Sequence, residues 1–161
     1  MAETLEQELK RVLLEERELA LDSFDNQDAL DLGLSLVEKA RAQNLPIAID
    51  VERCGQRLFH AAMPGSAPDN FHWIERKKRL VNRTYHSSYA MSLKLRVKQR
   101  TLAEEAYLDE NDYAPHGGCI PLLVRRVGFV GTLTVSGLPQ RDDHLLAVEA
   151  LREHIAGRRE G

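Results

Sequence analysis

The residues most suited to chemistry lie in one short run, Tyr113-Ala114-Pro115-His116-Gly117-Gly118-Cys119. Paired glycines let a backbone approach a ligand closely and can aim N–H groups at an anion. The adjoining imidazole can ligate a metal or move a proton near neutral pH. Pro115 restricts the loop and gives His116 a comparatively rigid support. The plainer reading is a tight loop leading into a strand, with His116 facing solvent or capping backbone. Cys119, a small thiol at a strand start, is expected to be packed rather than to act as a ligand.

A second candidate is the basic run Arg76-Lys77-Lys78-Arg79, continued by Arg83. On a helix, Arg76, Arg79 and Arg83 fall three and four residues apart and line one flank. Guanidinium groups pair bidentately with carboxylate or phosphate, so this flank is a candidate anion site. The alternatives are a solvated helix flank and an ion-pair face against the acidic segments.

Other chemistries find less support. An acyl-transfer centre would need a nucleophile elbow, and G-x-S-x-G is absent; Ser136 sits in Thr134-Val135-Ser136-Gly137, which lacks the first glycine. There is no C-x-x-C and no H-E-x-x-H, and the histidines are scattered. His144 is read as a satisfied packing histidine beside the stripe of Val148. Gly128-Phe129-Val130-Gly131 lacks both the dinucleotide spacing and the Walker lysine, so its glycines mark a bulge or a close backbone neighbour.

The elements that must carry these groups can be read from period and punctuation. Leu5, Leu9, Val12, Leu13 and Leu19 predict an N-terminal helix over about 4–20. Asp25 caps a second helix over about 26–43, with Leu30, Leu34 and Val37 expected on its buried stripe. Ile47, Ile49 and Val51 alternate with Ala48, Asp50 and Glu52, which predicts a half-buried strand. Cys54-Gly55-Gln56 turns the chain into a return strand from Arg57 to Met63. A loop, Pro64 to Pro68, precedes a third helix over about 70–84, capped by Asp69 or Asn70, with Trp73, Ile74, Lys77, Leu80 and Val81 inward. Helix resumes near Ser88, and Thr101-Leu102-Ala103-Glu104 opens a short one. Strands over 120–125 and 128–135 form a second hairpin. Pro139, Asp142 and Asp143 start the last helix, with a frayed tail over 157–161.

Two hairpins with flanking helices predict an α/β (α+β) fold with a central antiparallel sheet. At 161 residues the chain is expected to form a single domain, 1–161. With 43% apolar and 29% charged residues it needs no disulfide or metal to hold a core. Two cysteines, no basic leader and no apolar stretch approaching the ~20 residues of a bilayer span point to a cytoplasmic, non-membrane protein.

Net charge is only −3, but it is segregated. Residues 1–31 hold ten acids and three bases, residues 72–100 nine bases and one acid, and residues 101–112 five acids and no base. That pattern favours complementary faces, within the fold or between subunits, over a nucleic-acid surface.

One segment carries a resemblance. Gly117-Gly118-Cys119-Ile120-Pro121, followed by Val127-Gly128-Phe129-Val130-Gly131-Thr132-Leu133-Thr134-Val135-Ser136-Gly137 and an Asp-bearing helix, resembles the signature of the HbpS/GlcG-like, or haem-degrading domain, family. Leu58-Phe59-His60-Ala61, Pro68-Asp69-Asn70, Trp73-Ile74 and Ser87-Ser88-Tyr89 resemble a shorter, largely uncharacterised branch of it. The resemblance implies a profilin-like fold, assembly into symmetric homo-oligomers, and binding of haem or a related planar anionic cofactor, with slow haem breakdown as a further activity. His116, Gly117 and Gly118, together with Arg76, Arg79 and Arg83, are then the expected cofactor-binding residues, and no catalytic residue is assigned. Two other readings stay open: a non-enzymatic oligomeric scaffold for protein partners, and an enzyme acting on a small anionic metabolite at the basic flank.

Overall fold

A computed structural model describes the backbone of residues 2–160 and the side chains through Arg158. The elements are α1 (Leu5–Glu18), α2 (Asn26–Gln43), β1 (Ala48–Arg53), β2 (Gln56–Ala62), α3 (Pro68–Thr84), α4 (Ser88–Lys98), α5 (Leu102–Ala106), β3 (Cys119–Val124), β4 (Gly128–Ser136) and α6 (Gln140–Glu160). The fold is mixed α+β, built on one antiparallel sheet in the order β2-β1-β4-β3.

Local chemistry sets the helix starts. Thr4 with Gln7, Asp25 with Asp28 and Thr101 with Glu104 each form a reciprocal capping box, which satisfies backbone N–H groups that have no intrahelical acceptor. The third helix starts earlier than expected. Pro68 occupies its first turn, Ala67 is the cap, and the Asn70 side chain accepts from the Ala67 N–H at 2.8 Å. The last helix continues through residues 157–160, expected as tail, and Arg158 pairs with Asp28.

The sheet has two unlike faces. Ile47, Ile49, Val51, Ile120, Leu122, Leu133 and Val135 form the apolar one, covered by Leu32 and Leu36 of α2 and by Ala147 and Leu151 of α6. The opposite face carries a polar row, Cys119, Thr134, Asp50 and His60, in register across all four strands. It is not solvated, as a half-buried strand would require. Asp50 is fully buried because α3 lies over this face. Lys78 reaches down to Asp50 at 3.2 Å, Glu52 at 3.6 Å and Glu75 at 3.2 Å, and Arg57 pairs with Asp50 at 2.6 Å. A buried charge of this kind is tolerable only when paired. Gly131 marks a close neighbour: a Cβ there would lie 2.0 Å from the Glu52 carbonyl oxygen on β1.

Two further expectations fail. Leu30 and Leu34 are not on the buried stripe of α2; they are 42% and 53% exposed, and Ala29, Leu32, Gly33, Leu36 and Ala40 are buried instead. The stripe is phased by Phe59, whose ring fills the space over Gly33. His144, expected to be satisfied, is buried with neither ring nitrogen hydrogen-bonded. It stacks at 4.8 Å on Tyr89, with a Glu15 oxygen 4.0 Å from Nε2.

His144 makes stability depend on pH. Burial, helped by Arg11 and Arg141, pulls its pKa from 6.5 down to about 4. Between those values the unfolded chain binds a proton that the folded chain refuses, so stability is complete above 6.5 and falls as pH drops towards 4. The loss expected from this group is about 2–3 kcal/mol. Asp143, described below, acts in the opposite direction. The contribution is therefore read as the difference between wild type and His144→Phe in urea midpoints from pH 7 to 4, the variant losing less.

The charge segregation is largely resolved inside the chain. Glu105 takes Lys94, Lys98 and Arg100, Glu16 takes His86, and Glu8 takes Arg141 and the Tyr89 hydroxyl.

Candidate functional site

Three elements converge beside the polar end of the sheet. Asn70, Trp73 and Lys77 project from one face of α3, spaced by three and four residues. The end of β4 and the following turn supply Ser136, Gly137 and Leu138. The first turn of α6 supplies Gln140 and Asp143, and the loop before β3 supplies His116. Together they line a cavity of about 360 Å³, within the roughly 300–1,000 Å³ of small-molecule pockets.

Lys77 and Asp143 form its floor. The Lys77 amine is 3.3 Å from Asp143 Oδ2 and donates to the Val135 carbonyl at 3.3 Å. Asp143 also accepts from the backbone N–H groups of Leu138 at 2.9 Å and Gly137 at 3.3 Å. Burial dominates both groups: it pulls the Lys77 amine below the usual lysine value and pushes the Asp143 carboxyl up to about 6, against the attraction of the pair.

His116 is half-buried, its ring edge-on to Trp73 at 5.2 Å. Burial first, then the Lys77 charge, lowers its pKa and keeps the imidazole neutral at pH 7; Glu110 opposes the shift and Arg76 adds to it. His116 and Gln140 also line a second hollow of about 470 Å³, with Leu95, Arg96 and Arg100 on its walls. The imidazole therefore stands between two depressions, the ionisable side chain common to both.

The paired glycines serve the chain's own packing. A Cβ at Gly117 would lie 2.3 Å from the Gln140 carbonyl oxygen, and its N–H donates to the Gln140 side chain at 3.0 Å. A Cβ at Gly118 would meet the Val135 carbonyl at 2.3 Å and the Lys77 amine at 2.7 Å. The space these glycines leave is filled by protein. Cys119 is fully buried, and its thiol is pushed up to about 12, which makes it inert.

The three arginines do not join His116 in one place. Arg76 donates to the Glu110 carbonyl at 3.0 Å and lies 4.6 Å over the Trp73 ring, so it backs the cavity wall. Arg79 donates to the Asp112 carbonyl at 3.3 Å. Both therefore tie the acidic loop to α3. Arg79 and Arg83 line a separate hollow of about 460 Å³, whose walls also carry Glu52, Glu75 and Lys78. The reading from sequence placed Trp73 and Lys77 inward but missed the pairing of Lys77 with Asp143 and the contribution of Gln140. The only available signals were a lysine on an inward helix face and an aspartate in a first turn.

Comparison with known proteins places this geometry in a family. The model of haem-degrading, HbpS-like proteins matches residues 24–152. The chain belongs to the HbpS-like family. It is 52% identical over 141 residues to the UPF0303 protein SCO2848 of Streptomyces coelicolor, covering 88% of this chain and 89% of that one. It is 49% identical over 153 residues to the UPF0303 protein Rleg2_2653 of Rhizobium leguminosarum, covering 95% and 92%. Among solved structures, the protein Ybr137w superposes with a TM-score of 0.87 at 35% identity, over 93% of this chain and 88% of that one. A complex of PduOC with haem shares the HbpS-like fold at a TM-score of 0.67 and 19% identity, over 81% and 94%. Among the described residues of this family member, no helix is long and apolar enough to cross a membrane.

Proposed function

We propose that this chain is a cytoplasmic, single-domain, self-associating binding protein for haem or a related planar anionic ligand, seated at the mouth where His116 separates the two hollows. The observation that carries the reading is His116 itself: a half-buried imidazole, held neutral, between a Trp73-walled cavity and a hollow bordered by Arg96 and Arg100, with Glu110 also on its wall. The family's description as haem-degrading and the haem complex of a protein of the same fold support it.

The residues present fit the ligand class. A neutral imidazole is a suitable nitrogen donor to iron. Arg96 is exposed and makes no ion pair among the described residues, so it is free to meet a carboxylate. Arg100 is shared with Glu105. When bound, haem would supply a redox-active iron; His116 would supply a nitrogen donor, Trp73 an aromatic wall, and Arg96 and Arg100 cationic groups at the rim. The glycine pair fixes the backbone that carries His116. The test is haem titration of wild type and His116→Ala: binding that the substitution leaves unchanged would remove His116 from the site.

Self-association rests on separate features. Strand β2 is an outer strand of the sheet, and the exposed Leu30 and Leu34 lie on α2, whose Gly33 packs on Phe59 of that strand. Light scattering at micromolar protein and moderate salt is expected to give a mass well above one 18.2 kDa subunit. A monodisperse monomer would remove this part of the reading.

A further inference from the structure

We propose that Lys77 is a covalent amine site, which forms an iminium with the carbonyl carbon of a small uncharged aldehyde or ketone held in the Trp73 cavity. This goes beyond the haem reading and does not depend on it: the two share the Trp73 cavity, but the haem reading rests on His116, whereas this one rests on Lys77 and Asp143 at the floor.

Four observations carry it. Lys77 lines the cavity, and its side chain is only 4% exposed, so bulk water has little access to it. An ammonium has three N–H donors. Lys77 uses two, on Val135 and Asp143, and the third has no protein acceptor among the described residues. Asp143, 3.3 Å away, is a carboxylate placed to take the proton that must leave before nitrogen can attack. Besides Trp73 and His116, the lining carries Asn70, Ser136 and Gln140, neutral polar groups suited to hydroxyl substituents, and the Lys77 charge is already matched by Asp143, so an uncharged substrate fits better than an oxo acid.

Lys78 provides the contrast. It is the next residue and is also buried, but three carboxylates surround it. They more than offset its burial and hold the amine above the usual lysine value, locked as ammonium. Lys77, with one carboxylate and dominant burial, is shifted the other way.

The chemistry balances within the site. The Lys77 ammonium passes a proton to the Asp143 carboxylate. The nitrogen lone pair then adds to the carbonyl carbon, and the resulting zwitterion transfers a proton from nitrogen to oxygen to give a carbinolamine. Asp143 returns its proton to the carbinolamine hydroxyl, which leaves as water. The C–O bond is lost, a C=N bond forms, and the positive iminium faces the restored Asp143 carboxylate. No oxidant or reductant takes part.

The experiment uses the haem-free wild-type protein, glycolaldehyde as probe and cyanoborohydride to trap the iminium as a stable amine, with peptide mass mapping at short times. Lys77 is expected to be labelled ahead of the exposed Lys10 and Lys98, with Lys78 unlabelled. Labelling confined to exposed lysines, or labelling of Lys77 no faster than theirs, would overturn the proposal. Because the mapping is done on wild type, the outcome does not depend on whether a Lys77 variant folds, and failure of haem to bind leaves it untouched.

Discussion

Replacing Asp143 by alanine is expected to destabilise the protein by about 3–5 kcal/mol, the scale for removing one partner of a buried ion pair. The Lys77 amine, on a side chain only 4% exposed, would keep only the Val135 carbonyl as a protein acceptor. The N–H groups of Gly137 and Leu138 would lose their acceptor in the same step. The cost comes from the stranded charge more than from the pair itself, so removing both charges should recover much of it. Urea denaturation at pH 7 of wild type, Asp143→Ala and the double variant Lys77→Met with Asp143→Leu tests this. The single variant should unfold at much lower urea, and the double should lie between it and wild type. A loss below about 1 kcal/mol for Asp143→Ala would be the value of a solvent-exposed pair and would contradict the buried placement.

Gly118→Ala should cost about 2–4 kcal/mol, combining backbone strain with overpacking. Gly118 has φ of +137°, where an L side chain is strained. The added methyl would also meet the Val135 carbonyl at 2.3 Å, on the backbone that Gly118 itself holds by accepting the Val135 N–H at 2.9 Å. Neither strand end can retreat without breaking that bond. Gly157→Ala is the matched control: it sits in α6 with nothing within 4 Å of a new Cβ, and should be neutral or stabilising by up to about 1 kcal/mol. Thermal melts of the two variants beside wild type give the comparison, and equal midpoints for Gly118→Ala and wild type would refute the packing described.

Much of the fold was legible because its signals are local. Capping boxes at Asp25 and Thr101, the turn at Gly55 and the change from helical to alternating period at Ile47 all act within a few residues. What was hidden depends on distant partners. Helix α2 carries leucines around much of its circumference, and the stripe that wins is the one that includes Gly33, a residue with no hydrophobic signal, because Phe59 needs its space. Asp50 and Glu52 alternate with apolar residues as an outward face would, and it is Lys78, Arg57 and His60, all on other elements, that make the burial of Asp50 tolerable. At the candidate site, the glycine pair and Pro115 drew attention to His116, and the structure places that histidine on a cavity. The wall opposite was not legible: Lys77 and Asp143 are 66 residues apart, and nothing in either local sequence names the other.

The central claim, that His116 stands at a ligand mouth, is tested most directly by titrating haem into wild type and His116→Ala and following the absorption spectrum, with circular dichroism as a fold check. Wild type should give a saturable haem spectrum, and the variant an altered spectrum with affinity at least about tenfold weaker, equivalent to 1.4 kcal/mol. A spectrum and affinity unchanged by the substitution would remove His116 from the site, and no binding by folded wild type would contradict the haem reading itself.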